Sequence, residues 1–139
     1  MGQTKFTVGL IGAVAEISDA HLDAINAHPD FILKGVCDIN EQKLSHKFLS
    51  LKDVYLTTDY KALLKDDEIN VIIICTPNHL HATMAIDALN AHKHVLCEKP
   101  MIITPAQGNA VLKVMEKSLG VFVVSYHFEF FPEVQFLKE

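Results

Sequence analysis

Two short polar segments, each directly after an apolar run, hold the residue types best suited to chemistry. They are Thr76-Pro77-Asn78 and Glu98-Lys99-Pro100. An ammonium such as that of Lys99 can donate a proton to a reacting oxygen or stabilise negative charge that develops on it. Neighbouring residues of an extended chain point to opposite sides, so Glu98 and Lys99 are expected to serve different partners. Glu98 would then accept a hydrogen bond from a ribose hydroxyl; a structural ion pair is the alternative.

Two histidines follow the Thr76-Pro77-Asn78 segment and raise the question of a metal site. The proline fixes the turn and Asn78 can cap the next helix, so capping explains the segment but not His79 and His81. Only Cys75 could join these histidines, because the next histidines along the chain are a whole helix away. This spacing matches no common zinc pattern, so we predict no metal site.

The turn after the first apolar run has one feature of a dinucleotide-binding loop. The segment Gly12-Ala13-Val14-Ala15 begins with glycine, but Val14 stands where the pattern G-x-G-x-x-G has its second glycine. Those glycines allow a tight turn and a close approach of the backbone to the pyrophosphate. The branched side chain of Val14 would push the phosphates away or force a wider turn. On this segment alone, the simpler interpretation, that Gly12 merely ends a strand, is favoured.

An acidic residue, Asp38, follows the second apolar run. It lies beyond Gly12 at about the usual offset for the carboxylate that bonds the adenosine ribose hydroxyls. A carboxylate here would repel a 2′-phosphate, and no arginine follows it at Ile39 or Asn40. The site would then prefer NAD to NADP. The alternative, that Asp38 simply caps the next helix, is nearly as well supported by the spacing.

Apolar runs that alternate with helical patterns must position these residues. Nearly continuous apolar strands joined by helical crossovers predict an α/β fold, a doubly wound parallel sheet of about six strands with helices on both faces. Ligands bind outside the carboxyl ends of such strands, which is where the polar segments lie. We predict strands over residues 5–11, 31–37, 54–56, 70–75, 94–97 and 121–124, and helices over about 18–27, 41–50, 59–64, 80–91 and 104–120.

The composition limits the classes of function. The 139 residues carry a formal net charge of −5 and no basic cluster, which gives no electrostatic support to nucleic-acid binding or to a polybasic membrane patch. No apolar run approaches the ~18 residues of a membrane span. The three cysteines, an odd number without close pairing, argue for a reducing, cytoplasmic setting and for buried thiols.

Four segments together make the chain resemble the N-terminal half of the Gfo/Idh/MocA oxidoreductase family, which includes glucose–fructose oxidoreductase and inositol dehydrogenase. They are VGLIG at 8–12, GVCDIN at 35–40, the long stretch 69–101 ending in VLCEKPM, and SYHFEFFPEVQFLKE at 125–139. The resemblance implies a Rossmann domain that binds NAD or NADP, followed by a second domain. It also implies hydride transfer to or from a sugar, cyclitol or related polyol.

The resemblance also implies roles for individual residues. The family's Glu-Lys-Pro lysine contacts the nicotinamide ribose and the substrate and assists proton transfer, which makes Lys99 the expected catalytic residue. The expected cofactor-binding residues are Gly12, Ala13, Val14, Ala15, Asp38, Ile39, Thr76, Pro77, Asn78, His81, Glu98 and Lys99.

The chain departs from the family pattern at several points. Val14 and Ile17 replace the later glycines, and Glu129-Phe130 stands where Arg-Phe is common. Members of the family are roughly twice as long or more. We therefore expect a dinucleotide-binding domain over residues 1–125 and the start of a connection to a missing second domain over residues 126–139. The chain alone is expected to be inactive, and the apolar connection could support a homo-oligomer. The alternative is a non-catalytic Rossmann module with impaired nucleotide binding that serves association.

Overall fold

Six parallel strands form one open sheet in this structure, a computed structural model that describes residues 5–138. The strands are β1 (Phe6–Ile11), β2 (Phe31–Cys37), β3 (Tyr55–Thr57), β4 (Val71–Ile74), β5 (His94–Glu98) and β6 (Phe122–Ser125). Their order across the sheet is β3-β2-β1-β4-β5-β6, and every neighbouring pair is parallel. The predicted doubly wound parallel sheet is confirmed.

The helices cover both faces of the sheet. They are α1 (Ile17–Ala27), α2 (Glu41–Lys47), α3 (Tyr60–Lys65), α4 (Asn78–Asn90), α5 (Pro105–Met115) and α6 (Pro132–Phe136), with a 3₁₀ turn at His127–Phe130. Ile25 of α1 and Leu44 of α2 pack on one face, whereas Leu63 of α3, Ala85 of α4 and Val111 of α5 pack on the other. The sheet is therefore buried from both sides, which is why its strands are apolar throughout.

Strand β4 divides its side chains between the two cores. Ile72 and Ile74 belong to the core under α3–α5, and Val71 and Ile73 belong to the core under α1 and α2. This alternation follows from the period of two in a strand, and both sets are buried. The chain leaves β1 toward β2 on one side and returns to β4 on the other, so the switch point lies between the carboxyl ends of β1 and β4.

Two helices begin earlier than predicted. Helix α1 begins at Ile17, one residue before its predicted start, and has no side-chain cap; the single proton of the Ser18 hydroxyl is shared between the carbonyl oxygens of Ala13 (2.8 Å) and Ala15 (2.6 Å). Helix α4 begins at Asn78, two residues earlier than predicted, and no side chain caps it. Asn78 is the first helical residue, so it does not act as the predicted cap.

Side chains cap the starts of two other helices. Asp59 accepts from the backbone N–H of Lys61 at the start of α3. Thr104 and Gln107 form a complete capping box at the start of α5, with Pro105 in the first turn. Helix α5 ends at Met115 rather than near residue 120, and α2 ends at Lys47 rather than at residue 50.

The segment after β6 leaves large apolar side chains in solvent. Phe128, Phe130 and Phe136 are 62%, 78% and 76% exposed. The 3₁₀ turn and α6 contact each other and do not fold back over the sheet as packed elements. The exposed apolar surface expected of residues 126–138 is therefore present. None of the helices within residues 5–138 is long and apolar enough to cross a membrane.

Candidate cofactor-binding site

The turn after β1 places Gly12 against the backbone that follows β4. Gly12 has a φ of 79°, in the left-handed region that glycine adopts without a steric cost. A Cβ built on it would lie 2.6 Å from the carbonyl carbon of Cys75 and 2.8 Å from the nitrogen of Thr76. Both observations require glycine here. Gly12 therefore does more than end a strand: it lets the two loops at the switch point touch.

The carboxylate of Asp38 lies at the same turn. One oxygen accepts from the backbone N–H of Val14 at 3.1 Å and the other from that of Asn40 at 3.0 Å. The cap of helix α2 is Asn40, whose side chain accepts from Lys43, so the alternative role of Asp38 as the helix cap is wrong. A carboxylate has about four lone-pair sites, so two hydrogen bonds leave Asp38 able to accept from ribose hydroxyls.

An elongated crevice of about 390 Å³ opens between these loops. It has the character of a nucleotide site, with apolar walls and few polar groups. The residues present fit a dinucleotide at its adenosine end, where the carboxylate of Asp38 lines the crevice beside Val14. Its walls are Ile11, Gly12, Val14, Ala15, Cys37, Asp38, Ile39, Thr58, Tyr60, Cys75, Thr76, Pro77, His79, Leu80 and Met84.

The loop after β4 forms one wall of the crevice. Thr76 is partly buried and its hydroxyl lies 3.6 Å from the sulfur of Met84. Pro77 and His79 are exposed and line the crevice, and Asn78 is exposed outside its lining. Of the expected cofactor residues, the structure therefore brings the loops around Gly12, Asp38 and Thr76 together at one edge of the sheet.

Glu98 is buried at the end of β5, and the protein itself uses its carboxylate. One oxygen lies 2.8 Å from Nε2 of His21 in α1, and the other accepts from the backbone N–H of Lys99 at 3.2 Å. Burial alone would raise the pKa of Glu98, but hydrogen bonds from His21, Ser125 and the Lys99 backbone outweigh it and hold the pKa below its usual value. Glu98 is 5% exposed and its carboxylate contacts groups of the chain, while the ribose hydroxyl expected as its partner stays a prediction.

Lys99 points away from Glu98, as expected of neighbours on an extended chain. Lys99 is exposed, and the peptide bond that joins it to Pro100 is cis. Because Ile74 of β4 pairs with Cys97 of β5, Lys99 comes off the sheet beside the loop that carries Thr76. Lys99 does not itself line the crevice, and its exposed side chain is open to a partner outside the described part of the chain.

His81, which was expected to bind cofactor, lies inside the protein instead. It is 1% exposed, and its two ring nitrogens face the carbonyl oxygens of Thr76 and Pro100. Its neighbour His79 is the histidine that reaches the crevice. Helical spacing separates the two, since residues two apart on a helix point in different directions.

Two participants could not be found from the sequence. Nε2 of His21 in α1 lies 2.8 Å from a carboxylate oxygen of Glu98, and Ser125 stands opposite Glu98 on the neighbouring strand β6; both are far from Glu98 along the chain. The only sequence signal is that His21 lies one turn after Ile17, on a helix expected to begin at the glycine turn. Nothing in the sequence pairs it with a residue at the end of β5.

The three cysteines are buried, and they belong to no metal centre among residues 5–138. Among residues 5–138, no group of three or more His, Cys, Asp or Glu side chains is arranged to hold a metal ion. Cys37, Cys75 and Cys97 are buried and unpaired, and burial raises the pKa of each thiol to about 12. They are buried thiols, as predicted.

The sequence matches a family model along most of its length. Residues 6–126 match the model described as an oxidoreductase family with an NAD-binding Rossmann fold, GFO_IDH_MocA. The chain belongs to this family. The resemblance that the polar segments suggested is thereby confirmed, and the NAD of the family description agrees with the expected cofactor.

Individual relatives extend the comparison. Levoglucosan dehydrogenase of Pseudarthrobacter phenanthrenivorans is 31% identical over 143 residues, which cover 97% of this chain and 36% of that protein. Inositol 2-dehydrogenase of Salmonella typhimurium is 33% identical over 115 residues, which cover 79% of this chain and 33% of that protein. The solved complex of levoglucosan dehydrogenase with NADH and levoglucosan is 28% identical, has a TM-score of 0.87, and is matched over 96% of this chain and 39% of its own. The chain thus spans between a third and two-fifths of the length of these proteins.

Proposed function

We propose that the chain is the NAD-binding domain of an oxidoreductase that transfers hydride to or from a sugar, cyclitol or related polyol. The observation that carries the proposal is the crevice at the switch point, where the Gly12 turn packs on the Thr76 loop with Asp38 at one end. Relatives of the same family act on levoglucosan and inositol, which are polyhydroxy ring compounds.

Residues at different positions along the site have different proposed roles. Asp38 accepts hydrogen bonds from the ribose at the adenosine end, and its charge disfavours a 2′-phosphate. The loop of Thr76 and Pro77 lines the path toward the nicotinamide. A bound nicotinamide supplies or accepts the hydride. Lys99, exposed at the other end, holds a proton at Nζ for the oxygen on the reacting carbon, or stabilises the negative charge that develops there.

Calorimetric titration with NADH and NADPH tests the cofactor assignment. We expect the chain to bind NADH at least about tenfold more tightly than NADPH, since a carboxylate beside a phosphate costs more than about 1.4 kcal/mol. Asp38→Asn should reduce that preference. Asp53→Asn, an exposed aspartate at the opposite end of the sheet, is the matched control and should leave it unchanged. An unchanged preference in Asp38→Asn would contradict the role of this carboxylate.

A second candidate, a non-catalytic module with weakened nucleotide binding, is supported by the turn itself. Val14 lines the crevice where a glycine is expected, and its N–H donates to Asp38. Glu16 lies at the start of α1, where a pyrophosphate would meet the helix N-terminus, and its charge opposes an anion there. Val14→Gly is expected to tighten NADH binding. If the chain binds neither dinucleotide at millimolar concentration, this second candidate replaces the first.

Turnover is proposed to need the rest of a longer protein. The relatives are more than twice the length of the match, and Lys99 contributes one catalytic group from a surface that is open to solvent. We expect no oxidation of polyols by the 139 residues with NAD present. Production of NADH from inositol or a sugar by the purified chain would overturn this expectation.

Self-association and compartment are further parts of the proposal. The exposed Phe128, Phe130 and Phe136 form an apolar surface that favours association. Size-exclusion chromatography at high concentration should show species larger than a monomer, and a clean monomer would contradict it. The unpaired thiols suit a reducing cytoplasm.

A further inference from the structure

The ring of His81 joins the two loops that carry the polar segments. It projects from the first turn of α4 and is 1% exposed. Nδ1 lies 2.9 Å from the carbonyl oxygen of Pro100, and Nε2 lies 2.7 Å from that of Thr76. Both distances are those of strong hydrogen bonds. One side chain therefore spans from the end of β4 to the end of β5.

Both partners of this ring are hydrogen-bond acceptors. A backbone carbonyl oxygen can only accept, so a ring nitrogen that carries a proton donates to the carbonyl it faces. Residues 5–138 contain no buried side-chain nitrogen or oxygen without a partner within hydrogen-bond distance.

The segment that carries the catalytic lysine is held on both sides. The N–H of Lys99 donates to the buried carboxylate of Glu98, and the carbonyl oxygen of the following residue, Pro100, lies 2.9 Å from Nδ1 of His81. Glu98 is in turn bonded to His21 of α1. The backbone around Lys99 is thus tied to α1 on one side and to α4 on the other, while its ammonium remains exposed.

We propose that His81 is a positioning residue whose buried ring lies between the Thr76 and Pro100 carbonyls and so fixes Lys99 at the nicotinamide end of the dinucleotide site. This inference rests on the proposed dinucleotide site. It assigns His81 no contact with cofactor or substrate. Its effect should therefore be felt by the nicotinamide half of the ligand and not by the adenosine half.

Binding of two ligands separates this role from a general structural one. NADH reaches the Thr76 loop, whereas ADP-ribose lacks the nicotinamide ring and uses the Gly12 and Asp38 end. We expect His81→Gln to weaken NADH binding about tenfold, the effect of one or two hydrogen bonds, and to leave ADP-ribose binding within about twofold. His92→Asn is the control, an exposed histidine at the other end of β5 whose φ of 58° suits asparagine. Equal weakening of both ligands in His81→Gln would overturn the proposal.

The wild-type chain provides a test that needs neither a stable variant nor a bound ligand. Nitrogen-15 NMR of the histidine rings should show a ring N–H of His81 that is protected from exchange with water and hydrogen-bonded to the Thr76 or Pro100 carbonyl. A His81 ring N–H that exchanges as fast as that of an exposed histidine would overturn the proposal whatever the chain binds. If the NMR result is as expected but the wild type binds neither NADH nor ADP-ribose, the proposed function fails and the two-carbonyl contact stands as structural, which overturns the positioning role.

Discussion

Replacement of Gly12 by alanine tests the contact on which the crevice depends. Gly12 has a φ of 79°, and a Cβ there would lie 2.6 Å and 2.7 Å from the carbonyl carbon and oxygen of Cys75. Both atoms belong to the backbone at the end of the central strand β4. They cannot move aside as a side chain can, so the two loops must separate.

The loss of stability has two causes, the left-handed backbone conformation and the steric clash of the new Cβ. A left-handed conformation costs an L-residue about 1–2 kcal/mol, and insertion of a methyl group into a packed place costs about 1–3 kcal/mol more. Gly12→Ala is therefore expected to lower the free energy of unfolding by about 2–5 kcal/mol, against a total of about 5–15 kcal/mol for a domain. With a urea dependence of about 1–3 kcal/mol per molar, the midpoint should fall by on the order of 1–2 M.

Urea unfolding followed by circular dichroism measures this difference, with Gly108→Ala as the matched control. Gly108 is also buried, but a Cβ there meets only the terminal methyl group of Ile102, at 2.9 Å, and its φ is not positive. It lies inside helix α5, where alanine gains about 0.5–1 kcal/mol over glycine. The control should be as stable as the wild type or slightly more so. A urea midpoint of Gly12→Ala within about 0.3 M of the wild-type midpoint would refute the reasoning, because at about 1–3 kcal/mol per molar it corresponds to less than about 1 kcal/mol.

The buried thiols and the buried carboxylate give two more tests. Because burial raises the pKa of Cys37, Cys75 and Cys97 to about 12, iodoacetamide at neutral pH should label them far more slowly in the folded chain than in urea; equal rates would contradict the burial. The pKa of Glu98 is held below its ordinary value of 4.5, so this group adds stability above that pH and loses it as the pH falls through the lowered pKa. Glu98→Gln should therefore lose less stability than the wild type between neutral and acidic pH in thermal melts, and an identical loss would contradict the lowered pKa.

Much of the fold was accessible from the sequence because parallel strands buried on both faces are apolar throughout. The runs that end at Ile11, Cys37 and Ile74 became the three central strands within one residue of their predicted bounds. Helix ends were harder, because a serine or asparagine near a helix start can bond in several ways. Ser18 donates to carbonyl oxygens instead of capping α1, and Asn78 lies within α4.

The sequence predicted the position of the site only through the polar residues that follow each strand. The ends of β1, β2, β4 and β5 meet at one edge because the strands are parallel, so their polar residues could be gathered from the order of elements alone. The directions of the side chains could not. Glu98 turns inward to His21 and Lys99 turns outward, and His81 is buried whereas His79 faces the crevice. Such contacts join residues that are distant along the chain and leave no local pattern.

The central claim is that a nicotinamide dinucleotide lies along the crevice from Asp38 to Lys99. Amide chemical shifts recorded by NMR during titration with NADH test it most directly. The account predicts saturable shifts at Gly12, Asp38, Thr76 and Lys99, with little change at His92 on the opposite edge of the sheet. The absence of shifts at millimolar NADH, or shifts confined to residues away from this edge, would contradict it.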